Sequence, residues 1–214
     1  MLVKDRMTRD PVAITPDTSF PDAFHVIREK RIRHLPVVKG NKLVGVVAQT
    51  DLLHASPSTA TTLTVFEINY LLANLHVREV MSSPPITVLE DAPLEEAARV
   101  MVEKKIGCLP VMSNGLLVGM ITETDIFETF VEVLGGWEAS LRVTLLIRDV
   151  RGELARLSGV IAGLGGNICS VARFQSEEPG QCYVTFRLEG VDEETLVPVL
   201  EAEVEAVVHV CCAA

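Results

Sequence analysis

The chain has 214 residues, 48% of them apolar and 22% charged, with 14 glycines and 11 prolines. That is a globular composition, long enough for one large domain or two ordinary ones, and it excludes a disordered polar chain. A formal net charge of -10, a pI near 5.0 and only 5% aromatic residues exclude a nucleic-acid polymer as partner, because that surface needs clustered cations and stacking rings.

From the N-terminus, a Pro-rich turn at Asp10-Pro11 leads into a short β run over residues 12–15. A helix follows, with Asp17, Thr18 or Asp22 available as its cap, and Ala23, Val26 and Ile27 form one apolar stripe at helical period. Two β runs, 35–38 and 43–47, read as a hairpin across Gly40-Asn41, and a short helix begins at Asp51. Residues 57–74 read as a linker in which 60–72 form an amphipathic helix bearing Phe66, Ile68, Leu71 and Leu72.

The series then recurs at an offset of about 74 residues, with roughly a third of positions identical over stretches of about 50. Val3-Lys4-Asp5-Arg6-Met7-Thr8 answers to Val77-Arg78-Glu79-Val80-Met81-Ser82, and Leu35-Pro36-Val37 to Leu109-Pro110-Val111. The second copy opens at Pro84-Pro85 with a strand over 86–89. Its helix has Asp91 as cap, Pro93 in the first turn and Ala97, Val100 and Met101 as stripe. A hairpin pairs 109–112 with 116–121 across Asn114-Gly115, and a last helix begins at Asp125. Each β-α-β-β-α unit, of about 50 residues, is too small to bury both faces of its sheet, so the two copies are expected to pack together.

After a linker at Gly135-Gly136 the pattern changes. A strand over 140–147 is followed by a helix with Leu154, Leu157, Ile161 and Leu164 at helical spacing, ended by Gly165-Gly166. Strands over 168–174 and 182–188 flank the turn Glu178-Pro179-Gly180, a helix runs from Asp192 to about Ala202, and a strand closes the chain at 206–210. The order β-α-β-β-α-β is ferredoxin-like, so the whole chain falls in the α/β (α+β) class.

The β-α-β-β-α order, the Leu35-Pro36-Val37-Val38 strand and Gly119-Met120-Ile121-Thr122-Glu123-Thr124-Asp125 resemble a tandem pair of CBS domains. The resemblance implies a first motif at 1–54, a linker helix at 55–76 and a second motif at 77–132, together one Bateman module. It implies an adenine nucleotide, AMP, ADP or ATP, as a regulatory ligand. Its second-motif site would comprise Met81, Ile86, Thr87, Cys108, Leu109, Pro110, Thr122 and Asp125. A weaker first-motif site would comprise Arg33, His34, Pro36 and Asp51, because Ala48 stands where the second copy has Thr122. A threonine hydroxyl at a helix opening suits a phosphate, and an aspartate suits the ribose hydroxyls. The same residues equally suit a plain helix cap and a strand threonine. Arg28, Lys30, Arg31 and Arg33 offer counter-charge to phosphates, or form a solvated basic helix end.

Asp149, Gly152, Leu154 and Gly166-Asn167-Ile168 resemble the signature of ACT domains, placing that domain at 137–212. The family implies an amino-acid ligand framed by Asp149, Gly152, Leu154, Asn167 and Ile168, or a purely dimerising role. Arg151 replaces the proline often found there, and Asn167 alternatively reads as a left-handed residue beside the helix end. Residues 56–72 resemble the same segment of acetoin-utilisation B proteins, which suggests acetoin or related carbon metabolism.

No apolar run reaches the roughly 18–20 residues of a membrane span, and MLVKDRMTRD has no apolar signal core, so a cytoplasmic protein is expected. Cys108, Cys169, Cys182, Cys211 and Cys212 lack disulfide or metal-knuckle spacing and read as reduced, mostly buried thiols, with no metal. No nucleophile, P-loop or Rossmann motif occurs, and His25, His34, His54, His76 and His209 are scattered, so no catalytic residue is assigned. The expected function is a non-catalytic, homodimeric sensor of small molecules acting on a regulated protein. The alternative is a structural adaptor with empty sites.

Overall fold

A computed structural model describes residues 1–56, 64–137 and 139–213, which divide into two units, Met1–Ile126 and Phe127–Ala214. In the first unit, β1 (Thr8–Arg9) precedes α1 (Phe20–Lys30), the hairpin β2 (His34–Lys39) and β3 (Lys42–Ala48), and α2 (Gln49–Ala55). After α3 (Val65–Asn74), the second copy contributes β4 (Val88–Leu89), α4 (Leu94–Lys104), the hairpin β5 (Cys108–Ser113) and β6 (Leu116–Thr122), and α5 (Glu123–Val133). The boundary between the units falls inside α5, ahead of the residue 132 expected.

The helices bury the expected stripes: Ala23 and Ile27 in α1 and Ala97 and Met101 in α4 are buried, while Val26 and Val100 are half-buried. Both helices stop on a left-handed residue, Arg31 (φ 53°) and Lys105 (φ 55°), at equivalent positions of the repeat. Asn114 (φ 49°) and Gly115 (φ 79°) both take positive φ, as a two-residue hairpin that follows strand twist requires.

Several local expectations are corrected. The cap of α1 is Ser19, whose hydroxyl accepts the Asp22 N–H at 3.2 Å, while Asp17 pairs with Arg78 and Thr18 bonds Thr15. Pro93 itself holds the N-cap position of α4, with no side chain capping it, so Asp91 is not the cap. The strand expected over 12–15 is a single bridge from Ile14 to Val37, since Pro11 and Pro16 withhold N–H donors on either side. Helices α2 and α5 start two residues before Asp51 and Asp125, because each carboxylate reaches back from the first turn to the N-cap amide. The linker helix is described from Val65; residues 57–63, including its expected start at Ala60, lie outside the described residues. Leu72 packs on the first repeat's core, but Phe66 and Leu71 are exposed.

The repeats exchange their N-terminal segments. Val3 and Met7 are buried in the core of the second repeat, with Leu109, Val111 and Ile121. Val77 is buried, and Met81 packs, in the core of the first, with Leu35, Val37 and Val47. Accordingly β1 pairs with β6, Thr8 opposite Met120, in a sheet ordered β1-β6-β5-β4. The equivalent contact in the other half is a bridge in which Val46 and Ser82 exchange both backbone hydrogen bonds, at 3.1 and 2.8 Å.

The second unit holds β7 (Ser140–Arg148), α6 (Glu153–Gly163), β8 (Asn167–Gln175), β9 (Gln181–Glu189), α7 (Glu193–Glu201) and β10 (Ala206–Ala213). Its antiparallel sheet is ordered β10-β7-β9-β8, the 4-1-3-2 arrangement of a ferredoxin-like fold. Leu157 and Ile161 of α6 and Leu196 and Leu200 of α7 pack on Val143, Leu145, Val184 and Phe186. Leu154, expected in that stripe, is 41% exposed. Gly165 (φ 83°) supplies the left-handed turn after α6, so Asn167 does not; it begins β8, opposite Glu189. Two cysteines, Cys108 and Cys182, are buried, whereas Cys169 and Cys212 are exposed and Cys211 is half-buried, fewer buried than expected. Among the described residues no helix is long and apolar enough to cross a membrane.

The exchange requires glycine where the segments cross. A Cβ on Gly119 would lie 2.9 Å from the Thr8 carbonyl oxygen, and one on Gly45 2.9 Å from that of Ser82. A backbone oxygen cannot swing aside as a side chain can. Gly119→Ala and Gly45→Ala are each expected to destabilise the protein by about 1–3 kcal/mol in urea unfolding, and an unchanged midpoint would contradict the close crossing.

Candidate functional site

Two clefts in the first unit are walled by both repeats. Cleft I, of about 370 Å³, joins Ala48, Thr50 and Asp51, where β3 meets α2, to Ile86, Lys105, Cys108 and Pro110 of the second repeat. Cleft II, of about 390 Å³, joins Thr122 and Thr124, where β6 meets α5, to Val12, Arg31 and Arg33 of the first. The two linings correspond through the 74-residue offset: Val12 with Ile86, Arg31 with Lys105, Ala48 with Thr122 and Thr50 with Thr124. The crossing follows from the exchanged segments, which carry the loops after Thr8 and Ser82 to the opposite hairpin.

Each cleft ends at a helix opening held by an aspartate. The Asp125 carboxylate accepts the Thr122 N–H and hydroxyl, both at 2.7 Å, and Thr122 Oγ1 accepts the Asp125 N–H at 3.4 Å. Asp51 accepts the Ala48 N–H at 2.8 Å with no hydroxyl to complete the box. Thr122 therefore has its one donor engaged by Asp125, and donating to a ligand means rotating that hydroxyl.

The residues expected in two motif-wise sites are redistributed. Ile86, Cys108 and Pro110 line cleft I with His34 and Asp51 of the first repeat. Thr122 lines cleft II with Arg33 and His34, while Asp125 stays behind it as a cap. Leu109 is fully buried in the second core, Pro36 is buried and Met81 packs under Gly45, so these three support the walls. Thr87 is exposed and lines neither cleft. The basic cluster also divides: Arg31 and Arg33 line cleft II, but Arg28 lies along a groove with Phe24 and His25, and Lys30 pairs with Glu29 at 3.0 Å. Lys105 and Thr124 were not singled out from the sequence. The constant offset could have found both, since they answer to Arg31 and Thr50.

Residues 3–58 and 77–132 each match the CBS domain, together slightly more than half of the chain. The chain belongs to the CBS domain family. A candidate acetoin utilization protein (AcuB) from Vibrio cholerae is 36% identical with a TM-score of 0.53, over 63% of this chain and 93% of that one. CBSX2 from Arabidopsis thaliana, solved in complex with AMP, is 31% identical with a TM-score of 0.51, over 62% of this chain and 97% of that one. The inosine-5'-monophosphate dehydrogenase of Korarchaeum cryptofilum is 34% identical over 120 residues, 56% of this chain and 22% of the enzyme. The chain thus spans between about a fifth and about a half of the curated relatives it matches at 33–34% identity.

Within the CBS pair, His34 lines both clefts. Burial, helped by the neighbouring Arg33 charge, holds its imidazole below the ordinary value, against the opposing pull of Asp51 and Glu123. The Cys108 thiol, its counterpart in the repeat, is pushed up to about 12 by burial and by the same two carboxylates.

In the second unit, the residues expected to frame one ligand are not brought together. Asp149, Gly152 and Leu154 follow the end of β7 where Arg148 pairs with Gln181, and Asn167 and Ile168 begin β8 where Asn167 pairs with Glu189. Those ends lie eight residues apart along β9, about 27 Å at about 3.4 Å per residue. Helix α6 runs between them, so no single ligand touches both groups in one chain. Asp149 is paired with Arg173, and Gly152 (φ 86°) occupies the N-cap position of α6.

Thiol chemistry distinguishes these environments. In native protein at about pH 8, iodoacetamide is expected to alkylate the exposed Cys169 and Cys212 and to leave Cys108 unmodified until the chain unfolds, because the thiolate is the nucleophile. Peptide mass spectrometry reads the pattern. Labelling of Cys108 as fast as Cys169 would contradict its buried, negatively surrounded position.

Proposed function

We propose that this protein is a non-catalytic ligand sensor whose first unit binds an adenine nucleotide, AMP, ADP or ATP, between its two CBS repeats. The observation that carries the reading is cleft II, which Thr122 of one repeat and Arg33 of the other both line. A phosphate held by both would favour the packing in which they converge, which is how binding becomes a signal. The AMP complex of CBSX2 supports the ligand class. On this reading Asp51 adds ribose recognition to its capping, Asp125 acts by holding Thr122 at the edge of cleft II, and Ile86, Cys108 and Pro110 give the base an apolar wall in cleft I.

The second unit is read as an ACT domain that binds an amino acid or dimerises the protein. Its 4-1-3-2 sheet and the left-handed Gly152 at the opening of α6 support this, since glycine lets backbone amides approach a carboxylate. A ligand framed by Asp149 and Gly152 on one side and Asn167 and Ile168 on the other needs two copies of the chain, in keeping with a homodimer. The similarity to the Vibrio cholerae protein supports a link to acetoin or related carbon metabolism in the cytoplasm. A second reading, a structural adaptor with empty clefts, is favoured by the closed capping box, in which Thr122 and Asp125 already satisfy each other.

A thermal-unfolding screen of adenine nucleotides and amino acids separates the two. A bound nucleotide at about 100 times its Kd is expected to add about 2.7 kcal/mol. Thr122→Val should weaken nucleotide binding by about tenfold or more, through loss of one hydrogen bond to a charged group. No shift with any nucleotide or amino acid would establish the adaptor instead.

A further inference from the structure

We propose that the two clefts take different ligands: cleft II the phosphate chain of an adenine nucleoside di- or triphosphate, and cleft I an adenosine group carrying at most one phosphate. The inference rests on the reading of the first unit as an adenine-nucleotide sensor and assigns each cleft its own ligand chemistry.

Every residue lining cleft II has its counterpart 74 positions away lining cleft I, so the differences within these pairs are natural substitutions. Asp51 and Pro110 line cleft I without their counterparts Asp125 and Pro36 lining cleft II. Cleft II has Arg33 where cleft I has Gly107, Thr122 where cleft I has Ala48, and Arg31 where cleft I has Lys105. Arg33 uses one N–H on Thr124, at 2.9 Å across the repeats, and retains further donors in a fixed fork suited to phosphate oxygens. Two arginines and three threonines, Thr8, Thr122 and Thr124, therefore line the cavity, against the single carboxylate of Asp10.

Cleft I keeps the hydroxyls of Thr50 and Ser82 but has neither arginine, and carboxylates lie beside it. A Cβ on Gly107 would sit 3.3 Å from Glu123 Oε2 and 3.7 Å from His34 Nε2, so the position that carries arginine in cleft II is here filled by a neighbouring carboxylate and an imidazole. Asp51 is itself a lining residue, and its charge together with that of Glu123 bears on Cys108, which also lines the cleft. Lys105 is the one cation of the lining. Lys105 can balance a single phosphate, whereas a chain of phosphates would add negative charge beside the carboxylates of Asp51 and Glu123. The remaining wall, Val46, Pro85, Ile86, Ile106 and Pro110, suits a base and ribose.

Calorimetry with adenosine and ATP on the full chain tests this. With ATP saturating, adenosine is expected still to bind at one per chain. ATP affinity should fall about tenfold or more between about 50 and 500 mM salt, while that of adenosine stays level. Arg33→Gly should weaken ATP about tenfold or more and leave adenosine binding beside it. Mutual displacement of the two ligands, two equal ATP sites, or an ATP affinity indifferent to salt would overturn the assignment while leaving nucleotide sensing intact. Failure of both ligands to bind would overturn the sensor reading and this inference with it. The salt and mixing experiments use the unaltered protein, so they decide the matter even where Arg33→Gly does not fold.

Discussion

The first unit depends on the crossing of Met7-Thr8 over Gly119 and of Met81-Ser82 over Gly45. Each short repeat lacks the apolar area to close its own core, and each closes the other's: Val3 and Met7 complete the second, Val77 and Met81 the first. Two fully buried valines and two methionines fix which segment lies on which hairpin. The loops that follow them are thereby delivered to the strand-to-helix junction of the opposite repeat. The clefts are a consequence of that exchange, and any ligand entering one touches both halves of the sequence.

The hairpins, the helical stripes and the ferredoxin-like order were legible because they rest on local periodicity and turn chemistry, as at Asn114-Gly115 and at Ala23 and Ile27. Misreadings clustered where short polar side chains compete. Ser19 caps α1 although Asp17, Thr18 and Asp22 stand within three residues of it, and only the positions of Thr15 and Arg78 decide between them. The residues lining a cleft were partly legible as types and not as a set. Thr122, Ile86, Cys108, Arg33 and Asp51 do line clefts, but grouping them by repeat failed, because exchange of segments is a long-range choice with no local signature. The same holds at Asp149 and Asn167, whose separation by the length of a sheet appears only once strand register is known.

The pseudo-symmetry of the CBS pair also supplies its own control. Positions 74 apart answer to each other along the repeat, so Thr122 against Ala48, or Arg33 against Gly107, sets one side chain beside another at a matched place in the chain. The helix openings illustrate this: both aspartates cap, but only at Thr122 does a hydroxyl close the reciprocal box. On the proposed function, stability and binding would draw on the same residues, and a ligand that turned the Thr122 hydroxyl would exchange a capping contact for its own. His34, shared by the two clefts, places one polar group where both ligands would be felt.

A crystal structure of the protein grown with ATP tests the central claim most directly. The account predicts phosphate oxygens within hydrogen-bonding distance of both Thr122 and Arg33, one residue from each repeat. Ligand held by residues of a single repeat, or bound away from both clefts, would contradict it.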